Sequence, residues 1–181
     1  MEWPNGDRYE GNFRHGKRHG QGKRRNVDGS TYVGAYEDDQ PSGQGVYTWA
    51  DGETYDGQWK NGLFHGHGIK KVLEDNGRWT ILDGNWHLGV PKGLGVCNYS
   101  DGSQYEGEWL DGHPHGHGKK TLPDGTKFEG KWVDGRAKGE GVKVLPNGTI
   151  FQGEWEESNF LRGKCQYADG SMYDGEWLDG K

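Results

Sequence analysis

Aliphatic side chains are scarce in this sequence. Leu, Ile, Val and Phe together supply 27 of 181 residues, about 15%, below the ~20% under which chains tend toward disorder. A conventional core of branched side chains is therefore excluded. No apolar run approaches the ~18 residues of a membrane-spanning helix, and the opening "MEWPNGDRYEG" lacks the apolar stretch of a signal peptide. Cysteine is limited to Cys97 and Cys165. Two thiols so far apart form no disulfide framework and read as free thiols of a reducing compartment. The sequons Asn98-Tyr99-Ser100 and Asn147-Gly148-Thr149 then read as chance matches. No window repeats apolar residues every 3.6 positions between caps, so no helix is expected. The net charge of −6 argues against a general binder of nucleic acid.

Glycine and aromatic residues fill the deficit. There are 35 glycines, nine Trp and nine Tyr, whereas disordered chains are poor in rings. Each ring buries roughly 150–250 Å², so evenly spaced rings can replace a missing aliphatic core. The spacing is regular. Cutting the chain before each "YEGEW"-like aromatic gives segments 9–31, 32–54, 55–81, 82–104, 105–127, 128–150 and 151–172, followed by a start at 173–181 and preceded by a tail at 1–8. Five of the seven complete segments have 23 residues; the third is longer by four and the seventh shorter by one. Position one is aromatic except at Leu82, position three is glycine, and position five is Phe13, Tyr36 or a tryptophan from Trp59 to Trp177. A Gly-x-Gly pair follows, decaying in the seventh segment to Gly163 and Cys165, and each segment closes on Asp-Gly or Asn-Gly.

Alternation over "YEGEW" places positions one, three and five on one face of a strand, reading ring, gap, ring. The other face carries acids such as Glu106 and Glu108 and is expected to be solvated. A glycine between two rings leaves room for a neighbour's ring to lie across it. The closing Asp-Gly and Asn-Gly predict two-residue type I′ hairpin turns, with the second strand starting at the Gly-x-Gly. Each segment is thus a β-hairpin, marginal alone and stabilised by stacking on its neighbours. The expected fold is all-β: an elongated, single-layer antiparallel meander of roughly sixteen strands, on the order of 75 Å long at ~4.8 Å per strand, twisted into a rod with a groove.

This pattern resembles the MORN repeat (membrane occupation and recognition nexus). "YEGNFRHGKRHGQG" at Tyr9–Gly22, "YDGQWKNGLFHGHG" at Tyr55–Gly68 and "YEGEWLDGHPHGHG" at Tyr105–Gly118 carry the likeness most clearly, and it extends from Trp3 to Lys181. The resemblance implies an elongated assembly and docking module. Related proteins occur in cytoskeletal, ciliary and junctional scaffolds, some beside lipid-kinase or methyltransferase domains, and a phospholipid-binding role is attached to the family's name. The ragged ends, "WPNGDR" and "YDGEWLDGK", read as a piece of a longer array.

Few residues suggest chemistry. His113, His115 and His117 stand on alternate residues of "GHPHGHGKK", as metal ligands on one side of a strand would. Equivalent slots elsewhere hold Lys17, His19 and Gln21 or Arg136, Lys138 and Glu140, so a solvated, non-ligating role is the competing reading, with His87 and Cys97 as further ligand candidates. Gly11 to Lys17 has the spacing of a phosphate loop, but Arg18 follows where Ser or Thr is needed. No nucleophile, acid–base pair or cofactor motif is present, so no enzyme and no cofactor are expected. Arg14, Lys17, Arg18, Lys23, Arg24 and Arg25 form a cluster without an acid, a candidate surface for an anionic partner such as phospholipid headgroups.

The expected function is a cytoplasmic, cytoskeleton-associated scaffold. It docks protein partners in its groove and forms homodimers end to end through the last two units, with Phe151, Trp155, Cys165, Tyr167, Tyr173 and Trp177 in the contact. Tethering to an anionic membrane, or targeting of a larger enzyme, is the alternative.

Overall fold

The structure, a computed structural model, describes residues 1–177. Among them every regular element is a strand. The chain divides into two compact units, Met1–Pro91 and Lys92–Lys181. The first contains β1(Arg8–Arg14), β2(Lys17–Arg25), β3(Thr31–Glu37), β4(Gln40–Thr48), β5(Thr54–Lys60), β6(Leu63–Leu73) and β7(Trp79–His87); β8(Val90–Asn98) begins at the boundary. The second continues with β9(Gln104–Leu110), β10(His113–Thr121), β11(Lys127–Val133), β12(Arg136–Val144), β13(Ile150–Glu156), β14(Asn159–Gln166) and β15(Met172–Glu176). Strand order follows chain order and the pairs are antiparallel, which is the open meander that the hairpin periodicity predicts.

A file of glycines crosses each unit. Gly11 faces Gly22, which faces Gly34, and so on to Gly84 in the first unit; Gly95 through Gly175 do the same in the second. The position-one ring lies on this file. A Cβ on Gly118 would sit 2.5 Å from Cζ of Tyr105, and one on Gly11 would sit 2.5 Å from Cα of Gly22. Only hydrogen fits between ring and backbone there. The phenol then folds over its own strand, Tyr55 Oη donating to the Gln58 carbonyl at 3.0 Å and Tyr105 Oη to that of Glu108 at 3.0 Å.

The next repeat seals the position-one rings from Tyr9 to Phe128. Tyr32 meets Trp59 edge-on at 5.2 Å, Tyr105 meets Trp132 at 5.4 Å and Phe128 meets Trp155 at 5.1 Å, the geometry that the ring quadrupole favours by about 0.5–1.5 kcal/mol beyond area burial. The indoles of Trp59, Trp86, Trp109, Trp132 and Trp155 also donate back to a file glycine, as Trp59 Nε1 does to the Gly45 carbonyl at 2.8 Å and Trp132 Nε1 to that of Gly118 at 2.9 Å. Tyr55 and Tyr105 are 0% exposed as a result. The core is therefore a ladder of interlocked rings in which each repeat is completed by its successor.

The turns fall differently from the expectation. The two-residue turns with both φ values positive lie at the other end of the hairpin, at His15-Gly16, Asp38-Asp39, Asn61-Gly62, Leu88-Gly89, Asp111-Gly112, Asp134-Gly135 and Glu157-Ser158, which is the type I′ pattern. They join β1 to β2 and its equivalents directly, so the second strand starts three residues before the Gly-x-Gly, at Lys17 in the first repeat. The closing Asp-Gly and Asn-Gly instead form longer loops with positive φ at the glycine alone. Their acid or amide caps the loop, as when Ser103 N–H donates to Asp101 Oδ1 at 2.7 Å and Thr149 N–H to Asn147 Oδ1 at 3.0 Å.

The two glycines of Gly-x-Gly also differ. The second belongs to the file, while the first sits within a bulge, Gly116 at φ 61° inside the register break between His115 and Gly118. The irregular repeats follow from this. The four added residues of the third repeat lengthen β6 and β7 by two each, pairing Val72 with Thr80 and Leu73 with Trp79. The missing residue of the seventh comes out of the bulge. Gly163 pairs with Gly153 and is the file glycine, and Cys165, paired with Phe151, belongs to the next row and is not a decayed glycine.

Candidate functional site

The ring side of the first unit opens into a cavity of about 320 Å³ whose lining includes Pro41, Tyr47, Trp49, Trp59, Leu63 and Phe64. Trp59 is a ladder ring, but the others come from positions where the pattern relaxes. Trp49 follows β4 and faces Tyr47 at 4.6 Å and Phe64 at 6.1 Å. Phe64 stacks on Tyr55 at 3.8 Å. Lys70 Nζ lies 5.3 Å from the Trp49 ring centroid, a cation–π contact. Trp49, Tyr47 and Phe64 are half-buried, so they present aromatic surface without being sealed by the ladder.

Charges flank this cavity. Arg18 lies over the Tyr36 ring at 5.0 Å, and its Nε donates to Asp39 Oδ1 at 3.1 Å. Those donors, the Arg18 backbone N–H first, hold Asp39 below the usual carboxylate range. Arg24 reaches Asp7 Oδ2 at 2.8 Å and depresses that carboxyl in the same way. Burial pushes the Tyr36 phenol up to about 12, against the opposing pull of Arg18, and it raises Tyr32 too.

The basic cluster is therefore not one surface. Arg18 and Arg24 project to the ring side, each paired with a carboxylate. Lys23 and Arg25 alternate to the opposite side, where with Arg8, Glu2 and Glu10 they line a shallow depression. Arg14 pairs with Lys17 beside the first turn, and both are exposed.

The histidines do not share one side either. The bulge at Gly116 interrupts the alternation between His115 and His117. His115 Nδ1 lies 3.9 Å from Asp134, His113 pairs in register with Leu110, and the His117 backbone N–H donates to Glu108 Oε1 at 2.9 Å. Among the described residues no three His, Cys, Asp or Glu side chains gather as a metal-holding group.

Of the residues assigned to end-to-end contact, Trp155 and Cys165 are 3% and 0% exposed and belong to the ladder's interior. Phe151 and Trp177 are half-buried against each other at 5.5 Å. Tyr167 and Tyr173 are exposed, Tyr173 at 45%. Sequence reasoning missed Trp49 and Phe64. The available signal was that Trp49 is one of only three tryptophans, with Trp3 and Trp79, that fall outside position five.

No curated protein matches this chain. Among solved structures, the SAS-4 (dCPAP) TCP domain of Drosophila melanogaster, in complex with a proline-rich motif of Ana2 (dSTIL), is similar at 14% identity and a TM-score of 0.46, over 85% of this chain and 81% of that one. The TCP10 domain of Danio rerio CPAP, in complex with a peptide of Danio rerio STIL, is similar at 15% identity and a TM-score of 0.41, over 98% of this chain and 66% of that one. The model of the MORN repeat matches residues 9–31, 32–54, 55–71, 83–104, 105–127, 128–150, 162–172 and 173–181. The gaps at 72–82 and 151–161 fall at the lengthened hairpin of the third repeat and the shortened bulge of the seventh. With repeat matches over most of its length, the chain belongs to the MORN repeat family.

Proposed function

We propose that this chain is a non-enzymatic interaction scaffold that docks a segment of a partner protein in the ring-lined cavity of its first unit. The observation that carries the reading is the open cavity of about 320 Å³ walled by Tyr47, Trp49, Leu63 and Phe64. Half-buried aromatics in a concave site are the usual anchors of peptide recognition. Trp49 is also dispensable to the ladder: it stands where other repeats carry Asn26, Leu122 or Leu145. Membership of the MORN repeat family supports a cytoplasmic setting on cytoskeletal scaffolds.

The test compares the immobilised wild-type chain with a Tyr47→Ala/Trp49→Ala variant in recovering protein partners from a cell extract, alongside thermal unfolding. Loss of partners from the variant at a nearly unchanged melting temperature is expected. Identical recovery by both refutes the reading.

A second reading, self-association through the last repeats, is favoured by one observation. Tyr173 is 45% exposed while the equivalent Tyr9, Tyr32, Tyr55 and Tyr105 are at most 2% exposed. The contact would use the exposed Tyr167 and Tyr173, since Trp155 and Cys165 are interior. Sedimentation velocity at tens of micromolar tests it: a dimer that Tyr173→Glu converts to monomer is expected, and a wild-type monomer rules it out.

A further inference from the structure

The row of position-one rings continues across neighbouring strands, and in the second unit it alternates with cations. Lys120 and Lys143 are both register partners of Phe128, one on each side, and Lys143 in turn pairs with Phe151. Both lysines project to the ring side, where with Leu122, Ala137 and Trp155 they border a cavity of about 120 Å³. Lys120 Nζ lies 5.5 Å from the Tyr99 ring centroid and Lys143 Nζ 5.9 Å from that of Trp155. Neither ammonium makes an ion pair among the described residues. The carboxylates that feel them, Asp101 and Asp124, are engaged by the backbone N–H and hydroxyl of Ser103 and Thr126.

The two faces of this unit differ in charge. On the ring side, the strand positions of β8–β15 carry no carboxylate. The opposite side carries Glu106, Glu108, Glu129, Glu154 and Glu176. A chain of net charge −6 thus keeps an aromatic face whose strand positions carry no acid and which bears two ammonium groups outside any ion pair among the described residues. A neutral or basic segment laid there would leave both ammonium groups unpaired as it excluded water. An acidic one would supply their partners.

We infer that the ring face of the second unit docks an acidic peptide segment, with apolar anchors against Leu122 and Trp155 and carboxylates on Lys120 and Lys143. The inference rests on the scaffold reading and adds the partner's chemistry. Lys120 and Lys143 lie two strands apart, about 10 Å at ~4.8 Å per strand. Carboxylates seven residues apart on a helix, at ~1.5 Å per residue, share a face and match that separation.

The probe is a fluorescein-labelled helical peptide with two glutamates seven residues apart and leucine and tryptophan on the same face, compared by anisotropy with the same peptide carrying glutamine and with one carrying lysine. The glutamate peptide is expected to bind about tenfold tighter than the glutamine peptide, as two half-exposed charge pairs allow, and the preference should shrink with added salt. Lys120→Gln/Lys143→Gln should abolish the preference, and Lys120→Glu/Lys143→Glu should pass it to the lysine peptide. Lys119→Gln/Lys131→Gln, the same charge change on the opposite face, should leave it intact. Equal affinity for glutamate and glutamine peptides overturns the acidic-partner inference and leaves a neutral docking groove. Saturable binding of none of the three overturns docking on this face. A glutamate preference that survives Lys120→Gln/Lys143→Gln places it elsewhere and overturns the assignment, as does a chain that self-associates through this face and excludes the peptide.

Discussion

Replacing Gly118 by alanine probes the ring ladder at its tightest point. The added Cβ would lie 2.5 Å from Cζ and 2.7 Å from Cε2 of Tyr105, a ring with 0% exposure and no free volume to enter. Overpacking of this kind costs about 1–3 kcal/mol. Displacing the ring also strains two hydrogen bonds, Tyr105 Oη to the Glu108 carbonyl and Trp132 Nε1 to the Gly118 carbonyl, each worth about 1 kcal/mol. The expected loss is therefore about 3–5 kcal/mol, or roughly 6–20 °C in melting temperature at about 2–4 °C per kcal/mol for a chain of this size. Gly125→Ala is the control. Nothing lies within 4 Å of its added Cβ, and its φ of +88° leaves only a conformational cost of about 1–2 kcal/mol. Combining Gly118→Ala with Tyr105→Leu, the residue class found naturally at Leu82, removes the clash, so a double-mutant cycle followed by circular dichroism should show a coupling above about 1 kcal/mol. If Gly118→Ala costs no more than Gly125→Ala, or if the cycle is additive, the ring does not rest on that glycine and the account of the core fails.

Other expectations follow from the same geometry. Trp132→Phe keeps the edge-on contact with Tyr105 but loses the donor to Gly118, for an expected cost of about 1–3 kcal/mol in urea unfolding; a neutral effect would make that bond irrelevant. Burial raises the phenols of Tyr36, Tyr55 and Tyr105 to about 12 from 10.0. A raised folded value gives stability that is complete below pH 10 and lost as pH climbs toward 12, because the unfolded chain ionises first. Urea midpoints should hold to about pH 9 and fall steeply above ~10, and Tyr55→Phe/Tyr105→Phe should flatten the fall; a wild-type midpoint unchanged at pH 12 contradicts it. Asp7 and Asp39 are depressed below 3.8, so their contribution is present above that value and lost as pH drops through the folded values. Arg18→Gln/Arg24→Gln should weaken this acid dependence, and an unchanged profile below pH 3.8 would show that the pairs contribute nothing.

Part of the interaction surface was readable in the residues alone. Position-one and position-five rings had to share a face because strand side chains alternate, and glycine at position three had to lie between them. The surface's charges were less legible. Arg18 and Arg24 sit six residues apart within one basic run, with Lys23 and Arg25 interleaved, and composition alone gives no reason to divide them. The division comes from register: Arg24 pairs with Tyr9 and Arg18 with Phe13, which turns both toward the rings, while Lys23 pairs with Glu10 and turns away. The placing of His115 and His117 was illegible for a related reason, since a bulge at Gly116 interrupts the alternation of a regular strand.

What the sequence determined by itself is the repeat, its all-β character, its aromatic core and its family, because these depend only on residue type and spacing along the chain. Which glycine bends and which is covered, where the tight turn lies, and which cations share a face with the rings were decided by the tertiary structure. Those features depend on how neighbouring strands are offset, and a bulge that adds residues to one strand of a hairpin resets that offset without any mark in composition.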